Sequence, residues 1–98
     1  MNVQIQSVKF DADKQLIDFV EAKMAKLDRF ADNSTGADVI LKLDKDNEKG
    51  NKVATITLRV PGDDLVAERQ AKSFEEAVDE AIDAIKKQIE KAKSKRGE

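Results

Sequence analysis

The feature that most constrains the fold is a set of three short segments in which apolar and polar residues alternate. Apolar residues occupy every second position over 39–43 and 54–60, and a further strand is predicted over 65–71. A period of two predicts strands that are buried on one face only. The polar segment 45–51 and the turn at 61–63 connect them, which predicts an antiparallel meander.

One more strand and two helices complete the pattern. Alternating residues predict a first strand over 1–10. Apolar residues then recur at helical spacing over 16–30, after an N-cap at 11–13. Ser73 and Glu76 form a capping box at the start of a second helix. The predicted order is therefore β-α-β-β-β-α.

The connections restrict how these elements pack. A helix between the first two strands is a crossover, so those strands are parallel if they are neighbours. Both helices then run in the same direction and cover the one apolar face of the sheet. The predicted fold is a two-layer α+β domain, with a four-stranded sheet and two parallel helices on one face, similar to double-stranded-RNA-binding domains. The residues expected between the layers are Val3, Ile5, Val20, Met24, Leu27, Phe30, Leu41, Leu43, Ile56, Leu58, Phe74, Val78, Ile82 and Ile85.

The charge of the last segment changes sign halfway along one predicted helix. Residues 73–85 carry only acidic charged side chains, whereas residues 86–98 carry six basic residues against two acidic ones. The whole chain has a formal net charge of −2, so this basic excess is local. Acids at the start of a helix and bases at its end also complement the helix dipole. A polyanion-binding patch and a solvated surface helix are therefore both open interpretations.

The first helix shows the same gradient, because acidic residues precede Lys23, Lys26 and Arg29. Since both helices run in the same direction, their basic ends are expected to converge at one edge of the domain. Two coincident gradients favour a nucleic-acid surface. The predicted outward face of the sheet carries no aromatic residue on which a base could stack. Recognition of phosphates and of shape by lysine and arginine is therefore the expected mode.

Composition argues against other function classes. The 98 residues include no His, Cys or Tyr, which argues against an enzyme, a cofactor, a small-molecule substrate and a conventional metal site. The segment that begins at Asp44 resembles a calcium loop, but its glycine is one place late and Thr55 stands where a glutamate is needed. No apolar run approaches a membrane span, and the N-terminus does not resemble a signal peptide. A cytoplasmic protein without a membrane partner is expected.

Several segments, in order, resemble one known family. The sequences LIDFVEAK at 16–23 and KLDRF at 26–30 are similar to the first helix of the bacterial ribosome hibernation promoting factors. These proteins are also called ribosome-associated translation inhibitors or sigma-factor modulation proteins. The resemblance continues with ATITLRVPG at 54–62, LVAE at 65–68, SFEEAVD at 73–79 and QIEKAK at 88–93. No single segment is diagnostic, but the ordered combination covers nearly the whole chain.

The resemblance implies a non-enzymatic translation inhibitor that promotes ribosome hibernation under stress or in stationary phase. It implies binding to the small ribosomal subunit and its rRNA, in the channel used by messenger RNA and the A- and P-site transfer RNAs. On this basis residues 1–93 are a single ribosome-binding domain and residues 94–98 a basic C-terminal tail. The residues that the resemblance implies for rRNA binding are Lys23, Lys26, Arg29, Lys86, Lys87, Lys91, Lys93, Lys95 and Arg96.

Two further expectations concern partners. The sequence stops at Glu98 without the second domain that long family members use to pair ribosomes, so we expect a monomer off the ribosome that does not itself pair ribosomes. The alternative function is a protein-binding regulatory module of the same fold, whose basic edge docks an acidic partner protein.

Overall fold

The computed structural model describes residues 2–31 and 33–96, with side chains described except at position 46 and positions 93–96. The elements follow the predicted order. They are β1 (Asn2–Val8), α1 (Lys14–Phe30), β2 (Gly36–Asn47), β3 (Gly50–Arg59), β4 (Leu65–Ala71) and α2 (Phe74–Arg96).

The four strands form one sheet in the order β1-β2-β3-β4. β1 runs parallel to β2, and the other two pairings are antiparallel. One row across the sheet, Val39, Ile56 and Ala67, is buried. The strand pleat turns the adjacent positions to the other side, where Ile40 and the neighbouring polar residues are more exposed. The one-sided burial that the alternation predicts is therefore confirmed.

Both helices pack on the buried face of the sheet. α1 contributes Val20, Met24 and Leu27 to the core, and the predicted stripe of α2 from Phe74 to Ile89 is buried in the same cluster. Four residues of the predicted core are half-buried and pack at its margin. They are Val3, Ile5, Phe30 and Leu43. Val3 and Ile5 belong to an edge strand and Phe30 ends a helix, so fewer neighbours cover them.

Both predicted helix starts are confirmed by capping contacts. The Asp13 carboxylate accepts a hydrogen bond from the Leu16 backbone N–H at 2.8 Å. The Ser73 hydroxyl oxygen accepts one from the Glu76 backbone N–H at 3.1 Å. Each bond satisfies one of the donors that a helix N-terminus leaves without an internal partner.

The β2–β3 hairpin differs from the prediction of a polar loop over 45–51. The strands continue to Asn47 and resume at Gly50, so only two residues form the turn. Gly50 has φ +106°, and a Cβ there would lie 2.3 Å from the carbonyl oxygen of Ala71, so only glycine fits. The prediction was wrong because exposed strand ends can be polar on both faces, which removes the alternating signal.

The first strand is also shorter than the predicted 1–10. Lys9 has a positive φ of 70°, which ends the extended conformation after Val8. The chain then turns so that the ring of Phe10 stacks on that of Phe74, with centroids 4.6 Å apart. Phe10 therefore ties the loop before α1 to the start of α2.

Two contacts show how the parallel helices are placed against each other. Lys23 of α1 meets Asp79 of α2, and Phe30 of α1 meets Lys86 of α2. The two contacts are the same number of residues apart on both helices, so the helices run side by side in the same direction. α1 ends at Phe30, whereas α2 continues from Lys86 to Arg96, about 15 Å of helix at 1.5 Å per residue.

Candidate nucleic-acid interface

The basic residues near the end of α1 meet the basic half of α2, as the topology predicts. The Lys86 ammonium lies 5.8 Å from the centroid of the Phe30 ring, where a cation is attracted to the ring face. Lys86 is half-buried in this position. Its charge is thus held at the groove between the helices, next to the last turn of α1.

Lys26 and Arg29 supply the charge on the α1 side. Both are exposed, and Arg29 lies in the last helical turn. Within the described part of the chain neither side chain forms an ion pair. They are therefore available to an external anion.

Lys87 and Lys91 are exposed on the outer side of α2. Lys87 lines a shallow cleft at the β4 edge together with Arg69, Glu80 and Asp83. Lys86 and Lys87 consequently face different sides of the helix, one toward α1 and the other toward β4. We call the surface formed by Lys26, Arg29, Lys86, Lys87 and Lys91 the basic end.

Lys23 differs from Lys26 and Arg29 in having an acidic partner. Its ammonium is 3.0 Å from the Asp79 carboxylate and 5.4 Å from the centroid of the Phe19 ring. The Lys23 side chain is 33% exposed and that of Asp79 50% exposed. Asp79 belongs to the acidic half of α2, so Lys23, three residues before Lys26 on α1, lies beside an acid.

The side chains of the remaining predicted residues, Lys93, Lys95 and Arg96, lie outside the described part of the structure. The backbone of α2 is helical through Arg96. The predicted boundary between a domain over 1–93 and a tail over 94–98 therefore falls inside this helix instead of at its end.

The sign change along α2 is preserved in three dimensions because the helix is continuous. Its acidic half presents exposed carboxylates on the outer surface. These are Glu75, Glu76, Asp79, Glu80 and Asp83. Part of the chain's negative charge is therefore concentrated on α2, in the turns that come before Lys86.

Arg69 is a neighbour of the basic end that the sequence did not indicate. It shares its strand face with Ala67 and Ala71, which are both buried, so its position in the pattern predicts a core residue. Because β4 is an edge strand, the Arg69 side chain reaches solvent beside Lys87. The Arg69 guanidinium also donates to the carbonyl oxygen of Glu68 at 2.7 Å.

The open face of the sheet does not offer base-stacking platforms. None of the four phenylalanines lies there: Phe10 and Phe74 stack on each other, and Phe19 and Phe30 pack against the core from α1. Arg59 forms an ion pair with Asp38 at one end of this face. Stacking of the kind used by RNA-recognition-motif sheets is therefore absent from this face.

A larger cleft, of about 910 Å³, runs from the open sheet face to the start of α2. Its lining includes basic and acidic side chains in equal number. They are Lys42, Lys49, Arg69, Lys72, Asp44, Glu68, Glu76 and Glu80. Because the charges balance, this cleft is a poorer polyanion site than the basic end.

The described residues also bear on metal binding and on membrane insertion. No group of three or more His, Cys, Asp or Glu side chains there is arranged to hold a metal ion. Over the same residues, neither helix has a stretch long and apolar enough to cross a membrane.

Comparison with known proteins gives the family. The family described as sigma 54 modulation protein / S30EA ribosomal protein matches residues 3–97. The chain belongs to this family. Members of this family of ribosome hibernation factors are not enzymes.

Two relatives show how far the similarity extends. The chain is 30% identical over 95 residues to the ribosome hibernation promoting factor of Pseudomonas putida, covering 97% of this chain and 89% of that protein. It is 31% identical over 94 residues to the ribosome hibernation promotion factor of Deinococcus radiodurans, covering 94% of this chain. The chain spans about half the length of that second relative, 49%.

A solved structure supports the fold of this sigma 54 modulation / S30EA family member. A ribosomal subunit interface protein from Coxiella burnetii superposes with a TM-score of 0.85 at 20% identity. The superposition covers 96% of this chain and 99% of that one. The α+β architecture with a four-stranded mixed sheet and two helices is therefore shared.

Proposed function

We propose that this protein inhibits translation by binding the small ribosomal subunit in the channel for messenger RNA and transfer RNA, and so promotes ribosome hibernation. The proposal rests on the proteins to which the chain is similar, whose names describe ribosome hibernation factors. The observation that carries it in this chain is the convergence of exposed and half-buried basic residues from two parallel helices at one end of the domain.

The chemistry of the basic end fits an RNA backbone. Lysine and arginine contact phosphate oxygens without reading base identity, and such contacts fix the position of a protein on RNA. The open sheet face lacks aromatic platforms, which removes the main route to single-stranded base recognition. The proposed rRNA contacts are therefore phosphate contacts by Lys26, Arg29, Lys86, Lys87 and Lys91, with Lys93, Lys95 and Arg96 continuing along the helix.

The acidic net charge is compatible with this function because the charges are segregated. Screening limits the reach of an exposed charge to about 8–10 Å at physiological salt. The acidic half of α2 lies earlier on the helix, and α2 continues about 15 Å past the level of Phe30. Lys91 lies eight residues, about 12 Å, beyond Asp83 along the helix, so phosphates there are largely screened from the acidic half of α2, and Glu90 is the one exposed acid among residues 86–92.

We further propose that the protein is a monomer off the ribosome. The edge strand β4 has two backbone carbonyls occupied by side chains. The Gln88 amide donates to the Val66 oxygen at 2.9 Å, and Arg69 donates to the Glu68 oxygen. Covering an edge in this way disfavours pairing with a strand from another copy.

Co-sedimentation with purified small subunits tests the proposed function. The protein is expected to travel with the subunits after free RNA has been digested by nuclease, and to be released by a high-salt wash. Failure to bind small subunits would contradict the proposal. Binding to an acidic ribosomal protein, with no contact to rRNA by crosslinking, would favour the alternative of a protein-docking module.

A further inference from the structure

The three basic residues on the later half of α1 form a row. Lys23, Lys26 and Arg29 follow one another at intervals of three residues, so each step rises about 4.5 Å along the helix. Residues at this spacing lie on one inclined row of a helix surface. The row leads from the basic end toward the acidic half of α2.

The members of this row differ in what they contact. Lys26 and Arg29 are exposed and make no ion pair within the described residues. Lys23 is bound to Asp79 across the helix groove at 3.0 Å and lies against the Phe19 ring. The three residues are evenly spaced along α1, but Lys23 already has an anionic partner.

We propose that Asp79 sets the limit of the RNA-binding surface by occupying Lys23, so that phosphates reach Lys26 and Arg29 but not Lys23. This inference rests on the proposed function, because it assumes that the row faces rRNA phosphates. A phosphate that approached Lys23 would have to displace the Asp79 carboxylate. The two negative charges would also repel each other. Asp79 therefore lowers the affinity for polyanions and restricts where they bind.

The geometry gives the size of the effect. Both members of the pair are partly exposed, and a pair of this kind shifts a competing equilibrium by at most about fivefold. Releasing Lys23 adds one cation to the surface, and each engaged phosphate adds roughly 0.7–0.9 to the slope of log affinity against log salt. A gain of about fivefold in affinity is expected from one additional charge-assisted contact.

The test is the affinity of small subunits for a set of single and double variants at several salt concentrations. Asp79→Asn is expected to bind about fivefold more tightly than the wild type, with a slope steeper by roughly 0.7–0.9. Lys23→Gln in the wild-type background is expected to change affinity less than about twofold. In the Asp79→Asn background the same change is expected to remove the whole gain.

Two control variants separate this effect from a change in total charge. Glu75→Gln also removes one exposed negative charge from α2, but Glu75 lies in the first turn of the helix, away from the basic end, and forms no ion pair among the described residues. Asp79→Glu keeps the charge and is expected to keep wild-type affinity. Melting curves of all variants check that the fold is retained.

The outcomes distinguish this inference from the function on which it rests. Equal gains from Asp79→Asn and Glu75→Gln would overturn the inference while leaving ribosome binding intact. A loss from Lys23→Gln as large as that from Lys26→Gln would do the same, because Lys23 would then already contact RNA. Absence of wild-type binding to small subunits would overturn both.

Discussion

The two ends of the helical layer are built from the same two helices but differ in what holds them. At the end where both helices begin, side chains cap the backbone at Asp13 and Ser73, and Phe10 stacks on Phe74. At the other end α1 stops at Phe30, and α2 continues alone to Arg96. The first end is organised for stability, and the second presents charge.

This difference limits how much of the charge gradient the helix dipole explains. The helix dipole acts on charges within the first or last turn. Glu75 and Glu76 lie in the first turn of α2, so dipole complementation accounts for them. Lys86 and Lys87 lie almost three turns before Arg96, at about 3.6 residues per turn, and are beyond its reach. Dipole complementation therefore accounts for Arg29, in the last turn of α1, but not for Lys86 and Lys87, for which we propose polyanion binding.

The largest expected effect comes from reversing the charge of the basic end. Lys86→Glu, Lys87→Glu and Lys91→Glu together should weaken binding to small subunits by about a thousandfold or more, ~4 kcal/mol, because three attractive contacts become repulsive. The fold should survive, since none of the three positions is fully buried. Filter binding and circular dichroism measure the two properties.

The matched control places the same charge change elsewhere. Lys42→Glu, Lys45→Glu and Lys49→Glu lie on the β2–β3 hairpin side of the sheet. This triple variant should lose much less affinity than the first. Equal losses from both would mean diffuse attraction between charged surfaces, not a defined site.

The next effect is on stability alone. Ile85 is fully buried beside Lys86 in the sequence. Ile85→Ala should lower the free energy of unfolding by about 3 kcal/mol, because it removes buried methyl groups and leaves a cavity. Urea denaturation measures this. The fraction that remains folded should bind small subunits with wild-type affinity, and a loss of affinity there would show that the core and the site are coupled.

A smaller effect is expected at the capped end. Ser73→Ala removes the acceptor for the Glu76 backbone N–H and should lower the free energy of unfolding by about 1 kcal/mol. Thermal unfolding and binding measured on the same sample test it. Unchanged affinity would support the division between the two ends, whereas a weakened complex would place the start of α2 in the interface.

The sequence predicts most of the fold because the relevant signals are local. Period-two alternation located the core strands, and polar capping residues located both helix starts. The hairpin over 45–51 was predicted incorrectly because its strand ends are solvated and polar. Local patterns carry no information where neither face is buried.

The site was less predictable because it depends on the axial position of α1 against α2. That position places Lys23 beside Asp79 and Phe30 beside Lys86, and it is set by packing between the helices and the sheet. Neither pairing is visible in the spacing along the chain. Arg69 was missed for a related reason. It shares a face of β4 with buried residues, and only the position of β4 at the edge of the sheet exposes its side chain.

The salt dependence of wild-type binding to purified small subunits tests the central claim most directly. If the basic end neutralises about five phosphates, log affinity should fall against log salt with a slope of roughly −4. Affinity should then drop by on the order of a hundredfold or more between ~50 and ~200 mM salt. An affinity that does not change over this range would contradict binding through rRNA phosphates.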